Sequence, residues 1–125
     1  MFRGPMAIAW EEIETPKLLE PRDALVRPIA VARCDLDPAI ALGLYPMPAP
    51  FVMGHEMVGE VVAVGEAISN VRVGDKVIVP FQLSCMTCAP CLRGHTNACV
   101  NVPSGTAFGL GPHGGIDLGG ALAEL

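Results

Sequence analysis

The chain has 125 residues, enough for one domain with a modest core, and 51% of them are apolar, which excludes a disordered segment. Its net charge of −5 comes without a basic stripe, which argues against nucleic acid as a partner. No apolar run reaches the ~20 residues of a membrane span, and the N-terminus lacks the apolar core of a secretory signal, so a cytoplasmic chain with reduced thiols is expected.

Fourteen glycines and twelve prolines leave little room for long helices. "DALVRPIAVA" (23–32) is rich in Val and Ile and reads as a strand, with Pro28 near an edge or a bulge. In "DLDPAIALG" (35–43) the signals turn helical: Asp37 can cap, Pro38 suits the first turn and Gly43 the exit. "MVGEVVAVG" (57–65) and "DKVIVP" (75–80) are two further strands, with a turn at Gly74-Asp75. From Gly105 to Gly120 the chain reads as a glycine-rich loop, after which "ALAEL" begins a last strand. Short strands, many turns and one short helix predict a mainly β domain, a barrel or sandwich that is partly open.

"SCMTCAPCLRGHTNAC" (84–99) holds four of the five cysteines, Cys85, Cys88, Cys91 and Cys99, in the order C-x2-C-x2-C-x7-C. A two-residue gap lets the backbone curl until both sulfurs face one point, and four such thiolates satisfy tetrahedral zinc at ~2.3 Å. Gly94 supplies the backbone freedom for the returning loop, and Asn97 is placed to bond backbone or sulfur. With every position taken by protein the zinc is structural, ordering a loop of about 84–100 that has little apolar material. Two other readings stay open. An iron–sulfur cluster favours C-x2-C-x2-C but continues with three residues to Cys-Pro, not with seven to Cys-Val, and a redox pair leaves two cysteines over.

Cys34 stands alone in "RCDLD", and His55-Glu56 precedes the strand at 57. Singly, each has a plain explanation: a small buried hydrophobe for the cysteine, a solvated turn for the pair. Together they supply a thiolate, an imidazole and a carboxylate, the donor types of a catalytic zinc.

Gly54-His55-Glu56 with Gly59 and Gly65 resembles the signature of zinc-containing alcohol dehydrogenases in the medium-chain dehydrogenase/reductase family. "VGDKV" (73–77) and the four-cysteine loop resemble that family in the same order, from about residue 16 onward. The resemblance implies a GroES-like, partly open β-barrel with short helices and a zinc-binding loop, followed in the family by a Rossmann domain for NAD or NADP. It implies that Cys34 and His55 ligate a catalytic zinc, that Glu56 is a resting or transient ligand, and that Asp37 holds the histidine ring. The implied reaction takes a small alcohol to an aldehyde or ketone by hydride transfer to the nicotinamide.

Three departures qualify the resemblance. Leu36 stands where many members carry a proton-passing Ser or Thr, and Asp35 where some carry a base near the cofactor phosphates. The sequence ends at "GGALAEL", where the family continues to a further zinc ligand and the dinucleotide domain; "GLGPHGG" (109–115) has no helix after it and reads as loop. The expectation is a GroES-like portion over 1–125 without the Rossmann domain and without turnover by itself. An incomplete barrel leaves apolar surface for partners to cover, a second copy among them. Two readings from other classes stand beside it: a zinc-stabilised β module that binds, with Cys34 and His55 in packing roles, and an electron carrier built on an iron–sulfur cluster.

Overall fold

The computed structural model describes residues 1–103 and 106–110. The architecture is mainly β, as expected, in two sheets. Strands β1 (Phe2–Gly4) and β2 (Ala7–Ile8) form an antiparallel hairpin, while β3 (Ala24–Val31), β4 (Met57–Val64) and β5 (Lys76–Val79) form an antiparallel sheet in that spatial order. Helices α1 (Leu36–Ala41) and α2 (Ala89–Leu92) are short, and a 3-10 turn covers Thr96–Ala98. No helix among the described residues is long and apolar enough to cross a membrane.

The β3–β4–β5 sheet follows the predicted strands. The β3–β4 register shifts between Pro28 and Ala30, where a residue without an N–H cannot complete the ladder. Gly59 in β4 is required by close approach: a Cβ there would press on the Val26 side chain and lie 2.9 Å from the Arg27 carbonyl oxygen. Arg27 and Glu60, cross-strand partners, join in an exposed ion pair at 3.2 Å, which contributes little to stability. The β1–β2 hairpin has no counterpart in the sequence reading, because strands of three and two residues carry no measurable period.

Two other expectations need correction or fall outside the description. The residue at the start of α1 is Asp35, which makes no side-chain capping bond; Asp37 sits in the first turn and accepts from the Cys34 backbone N–H at 2.9 Å. Of the glycine-rich stretch 105–120, residues 106–110 are described, and the last strand at 121–125 lies outside the described residues.

A cluster of Phe2, Ile40, Phe51 and Met53 forms the core, with Leu36, Met47 and Leu110 packed against it. Phe2 and Phe51 stack tilted with ring centroids 5.0 Å apart, and their backbones exchange N–H···O bonds of 2.8 and 3.2 Å. This cluster anchors α1 through Ile40 and the segment entering Gly54-His55 through Phe51 and Met53. Burying four such side chains stabilises the arrangement by roughly 1.5–3 kcal/mol each.

Candidate metal centres

The β3–β4 ladder builds the first centre. Val31 pairs with Met57, and the Ala32 N–H donates to the Glu56 carbonyl at 2.9 Å, so Cys34 leaves β3 beside His55. Cys34 Sγ lies 3.3 Å from His55 Nε2. On the far side of the ring His55 Nδ1 faces Asp37 Oδ1 at 3.5 Å, with both side chains largely buried. That distance is just too long for a good hydrogen bond, which leaves these two buried polar atoms facing each other without another protein partner. The Phe81 ring stands edge-on to the imidazole, centroids 6.5 Å apart.

Cys34, Asp37 and His55 therefore converge, with donor atoms within 4.8 Å of one another, while Glu56 is exposed and outside that set. Neither plain explanation describes these residues: Cys34 is exposed and His55 is buried at 6% relative exposure. An imidazole with one nitrogen toward a thiol and the other toward a carboxylate is the arrangement that fixes a ligand's tautomer and ring angle. Asp37 Oδ1 faces the Nδ1 edge of the ring, while Nε2 faces Cys34. The donor set fits zinc, with Cys34 and His55 as ligands and Asp37 as the group that holds the histidine.

Cys34 and Asp37 line a cavity of about 500 Å3 together with Ile8, Arg33, Asp35, Pro38, Ala41 and Met53. Leu36 puts no hydroxyl beside Cys34; its backbone N–H donates to Cys34 Sγ at 3.3 Å.

The second centre is closed within one loop. The sulfurs of Cys85, Cys88, Cys91 and Cys99 lie within 4.8 Å of one another, and all are free thiols. Tetrahedral zinc with ~2.3 Å bonds needs sulfurs roughly 3.8 Å apart; Cys88 and Cys99 stand at 4.0 Å. Cys88 immediately precedes α2, whose single turn places Cys91 inward and buried, and Gly94 at φ +84° lets the chain return toward Cys99.

Donors surround the sulfurs. Cys85 Sγ accepts from Cys88 N–H at 3.3 Å, and from Thr87 N–H, Thr87 Oγ1 and Asn101 Nδ2 at 3.4 Å each. The Thr87 hydroxyl first, then the Thr87 and Cys88 backbone N–H groups, hold the Cys85 thiol down at about 5. Cys99 accepts from the Cys85 N–H at 3.4 Å and is also lowered, chiefly by that bond. Burial pushes Cys91 up to about 12. Backbone and amide donors aimed at sulfur are what a thiolate ligand needs, so this cage fits zinc as well. Asn101 makes the amide contact expected of Asn97, which lies in the 3-10 turn instead.

Comparison with known proteins identifies the family. The family model for the alcohol dehydrogenase GroES-like domain matches residues 20–125. A glutathione-independent formaldehyde dehydrogenase of Pseudomonas aeruginosa is 31% identical over 126 residues, covering 96% of this chain and 31% of that protein. Zinc-type alcohol dehydrogenase B of Aspergillus flavus is 36% identical over 99 residues, covering 79% of this chain and 23% of the relative. Among solved structures, alcohol dehydrogenase TADH from Thermus sp. ATN1 superposes with a TM-score of 0.83 at 39% identity, covering 98% of this chain and 34% of that one. The chain thus spans about a third or less of the length of these relatives. With both cysteine-bearing regions inside the matched residues, the chain belongs to the alcohol dehydrogenase GroES-like domain family.

Proposed function

We propose that this chain is the metal-holding portion of a zinc- and NAD(P)-dependent alcohol dehydrogenase that interconverts a small alcohol with its aldehyde or ketone. The observation that carries the proposal is the convergence of Cys34, His55 and Asp37, with Cys34 and Asp37 lining a cavity of substrate size. Cys34 and His55 would hold the catalytic zinc, and Cys85, Cys88, Cys91 and Cys99 a structural one. When bound, the catalytic zinc supplies a Lewis acid that lowers the pKa of the substrate hydroxyl.

The chain's own residues then bind and orient. Asp37 faces the Nδ1 edge of the His55 ring and is the group placed to orient it. Ile8 and Met53 give the cavity an apolar side. Oxidation removes a proton from the oxygen and a hydride from the carbon, so a hydride acceptor must face the same carbon; a nicotinamide has that chemistry. Leu36 has no hydroxyl to relay the proton, so another group or water must carry it. Glu56 as a transient ligand rests on the sequence resemblance alone, its side chain being exposed.

We assign 1–125 to one GroES-like portion, inactive without a dinucleotide-binding partner domain, and place it in the cytoplasm, where five free thiols are stable. The test is a chimera in which the chain replaces the matching third of the Thermus alcohol dehydrogenase. Expected is alcohol-dependent NAD(P)H formation by the zinc-loaded chimera, none by the chain alone, and loss in the chimera on Cys34→Ala. A folded, zinc-loaded chimera inert toward short aliphatic and benzylic alcohols, or equally active with Cys34→Ala, overturns the proposal.

A further inference from the structure

Beyond the four-cysteine loop the chain returns to the histidine. Gln82 forms an antiparallel bridge with Ala107, and the Phe108 N–H donates to the Phe81 carbonyl at 2.8 Å. Gly109 then lies directly on the backbone of the Gly54-His55 turn. A Cβ at Gly109 would overlap the Gly54 carbonyl oxygen, lie 2.7 Å from the Gly54 carbonyl carbon and 3.3 Å from His55 Cα, and Gly109 holds φ at +67°. Leu110 packs on the Phe2, Ile40, Phe51 and Met53 core, which pins the segment from its other end.

The same segment is tied to the cysteine cage. Gln82 Nε2 donates to Thr96 Oγ1 at 2.8 Å, and Thr96 opens the 3-10 turn between Cys91 and Cys99. A continuous line of contacts therefore runs from the cage through Thr96, Gln82 and Ala107 to Gly109 and the His55 backbone. Backbone pressed on backbone has no flexible side chain to absorb a displacement, so a shift of the strap moves the His55 turn with it.

We infer that Gly109 is a positioning residue for His55, and that residues 106–110 transmit the order of the four-cysteine cage to the Cys34–His55 pair. The inference rests on reading Cys34 and His55 as metal ligands. Any side chain at 109 forces the 54–55 backbone outward and shifts Nε2 relative to Cys34 Sγ, so the cost falls on metal affinity at that pair. Filling the cage fixes Thr96 and Gln82, and so presets the histidine before its own metal arrives.

Cadmium-113 NMR on the 125-residue chain tests this, because a four-sulfur site and a sulfur–nitrogen site resonate separately. The first equivalent of cadmium is expected in the cage and the second at Cys34 and His55. Gly109→Ala should leave the first resonance and its affinity unchanged and weaken the second by about tenfold or more. Retention of the second cadmium within about twofold of the unsubstituted chain overturns the role of Gly109.

Nitrogen-15 shifts of the His55 ring in the unsubstituted chain provide a readout that needs neither a folded variant nor the second metal. They should move when the first equivalent fills the cage, and Gln82→Met, which removes the bond to Thr96, should reduce that response. Ring shifts that stay put as the cage fills overturn the inference. A chain that shows the His55 response but never takes the second cadmium keeps the coupling of the cage to His55 and overturns the ligand reading, and with it the effect of Gly109 on metal affinity.

Discussion

The two cysteine centres contrast in how far along the chain their donors come from. The four-cysteine cage draws its sulfurs from residues 85 to 99 and most of its N–H···S donors from the same loop. Cys34 and His55 stand 21 residues apart and meet only because β3 and β4 pair in one register. The cage is closed, with a buried Cys91; the pair is open, with an exposed Cys34 at a cavity wall. A closed local site holds structure, and an open long-range site leaves room for a reacting molecule. The first depends on spacing, the second on the fold.

Substitutions can separate the two. The largest effect is expected for Cys91→Ser, which removes a buried sulfur from the cage. Because structural zinc contributes folding free energy outright, the zinc-loaded chain's thermal midpoint should fall by roughly 10 °C or more. Calorimetry with zinc analysis checks it, and an unchanged midpoint with full zinc would mean that the cage is not structural.

Asp37→Asn comes next. It should weaken metal at the Cys34–His55 pair by about 10–100-fold while the cage keeps its zinc, as read by competition with a chromophoric chelator. Equal loss at both centres would erase the contrast. Glu56→Gln is expected to have a much smaller effect than Asp37→Asn in the same titration, since Glu56 is exposed and outside the converging set. A loss as large as that of Asp37→Asn would make Glu56 a ligand and the present donor set incomplete.

The smallest effect concerns protons. In the metal-free chain Cys85, held at about 5, remains thiolate at neutral pH and loses its charge only as pH falls through that value. Cys91, pushed up to about 12 by burial, keeps its proton at neutral pH and must release it to a metal. Thr87→Val deletes the hydroxyl that contributes most to lowering Cys85, so its alkylation profile should move to higher pH. Mass spectrometry of iodoacetamide-treated, metal-free chain reads that shift, and an unmoved profile would remove Thr87 from the account.

Legibility in the sequence followed the same division. Strands β3, β4 and β5 were readable because Val- and Ile-rich runs end in turn residues, and the turn at Gly74 was where its dipeptide put it. The cage was readable because donors a few residues apart share a locality that spacing encodes. The helix start was misjudged: Asp37 read as the cap, whereas Asp35 stands there and Asp37 in the first turn accepts from the Cys34 N–H. Asn101 was missed for Asn97 because the 3-10 turn, not the count of residues, decides which amide reaches Cys85.

The sequence by itself determined the donor types, the closed four-sulfur loop and the β character, all properties of neighbours along the chain. Only the tertiary structure decided that Glu56 stays outside the group formed by Cys34, Asp37 and His55, and that Gly109 lies on the histidine turn. The physical reason is that those contacts are set by strand register and by a returning segment. Register is fixed by which faces bury apolar surface, and that is a property of the whole fold.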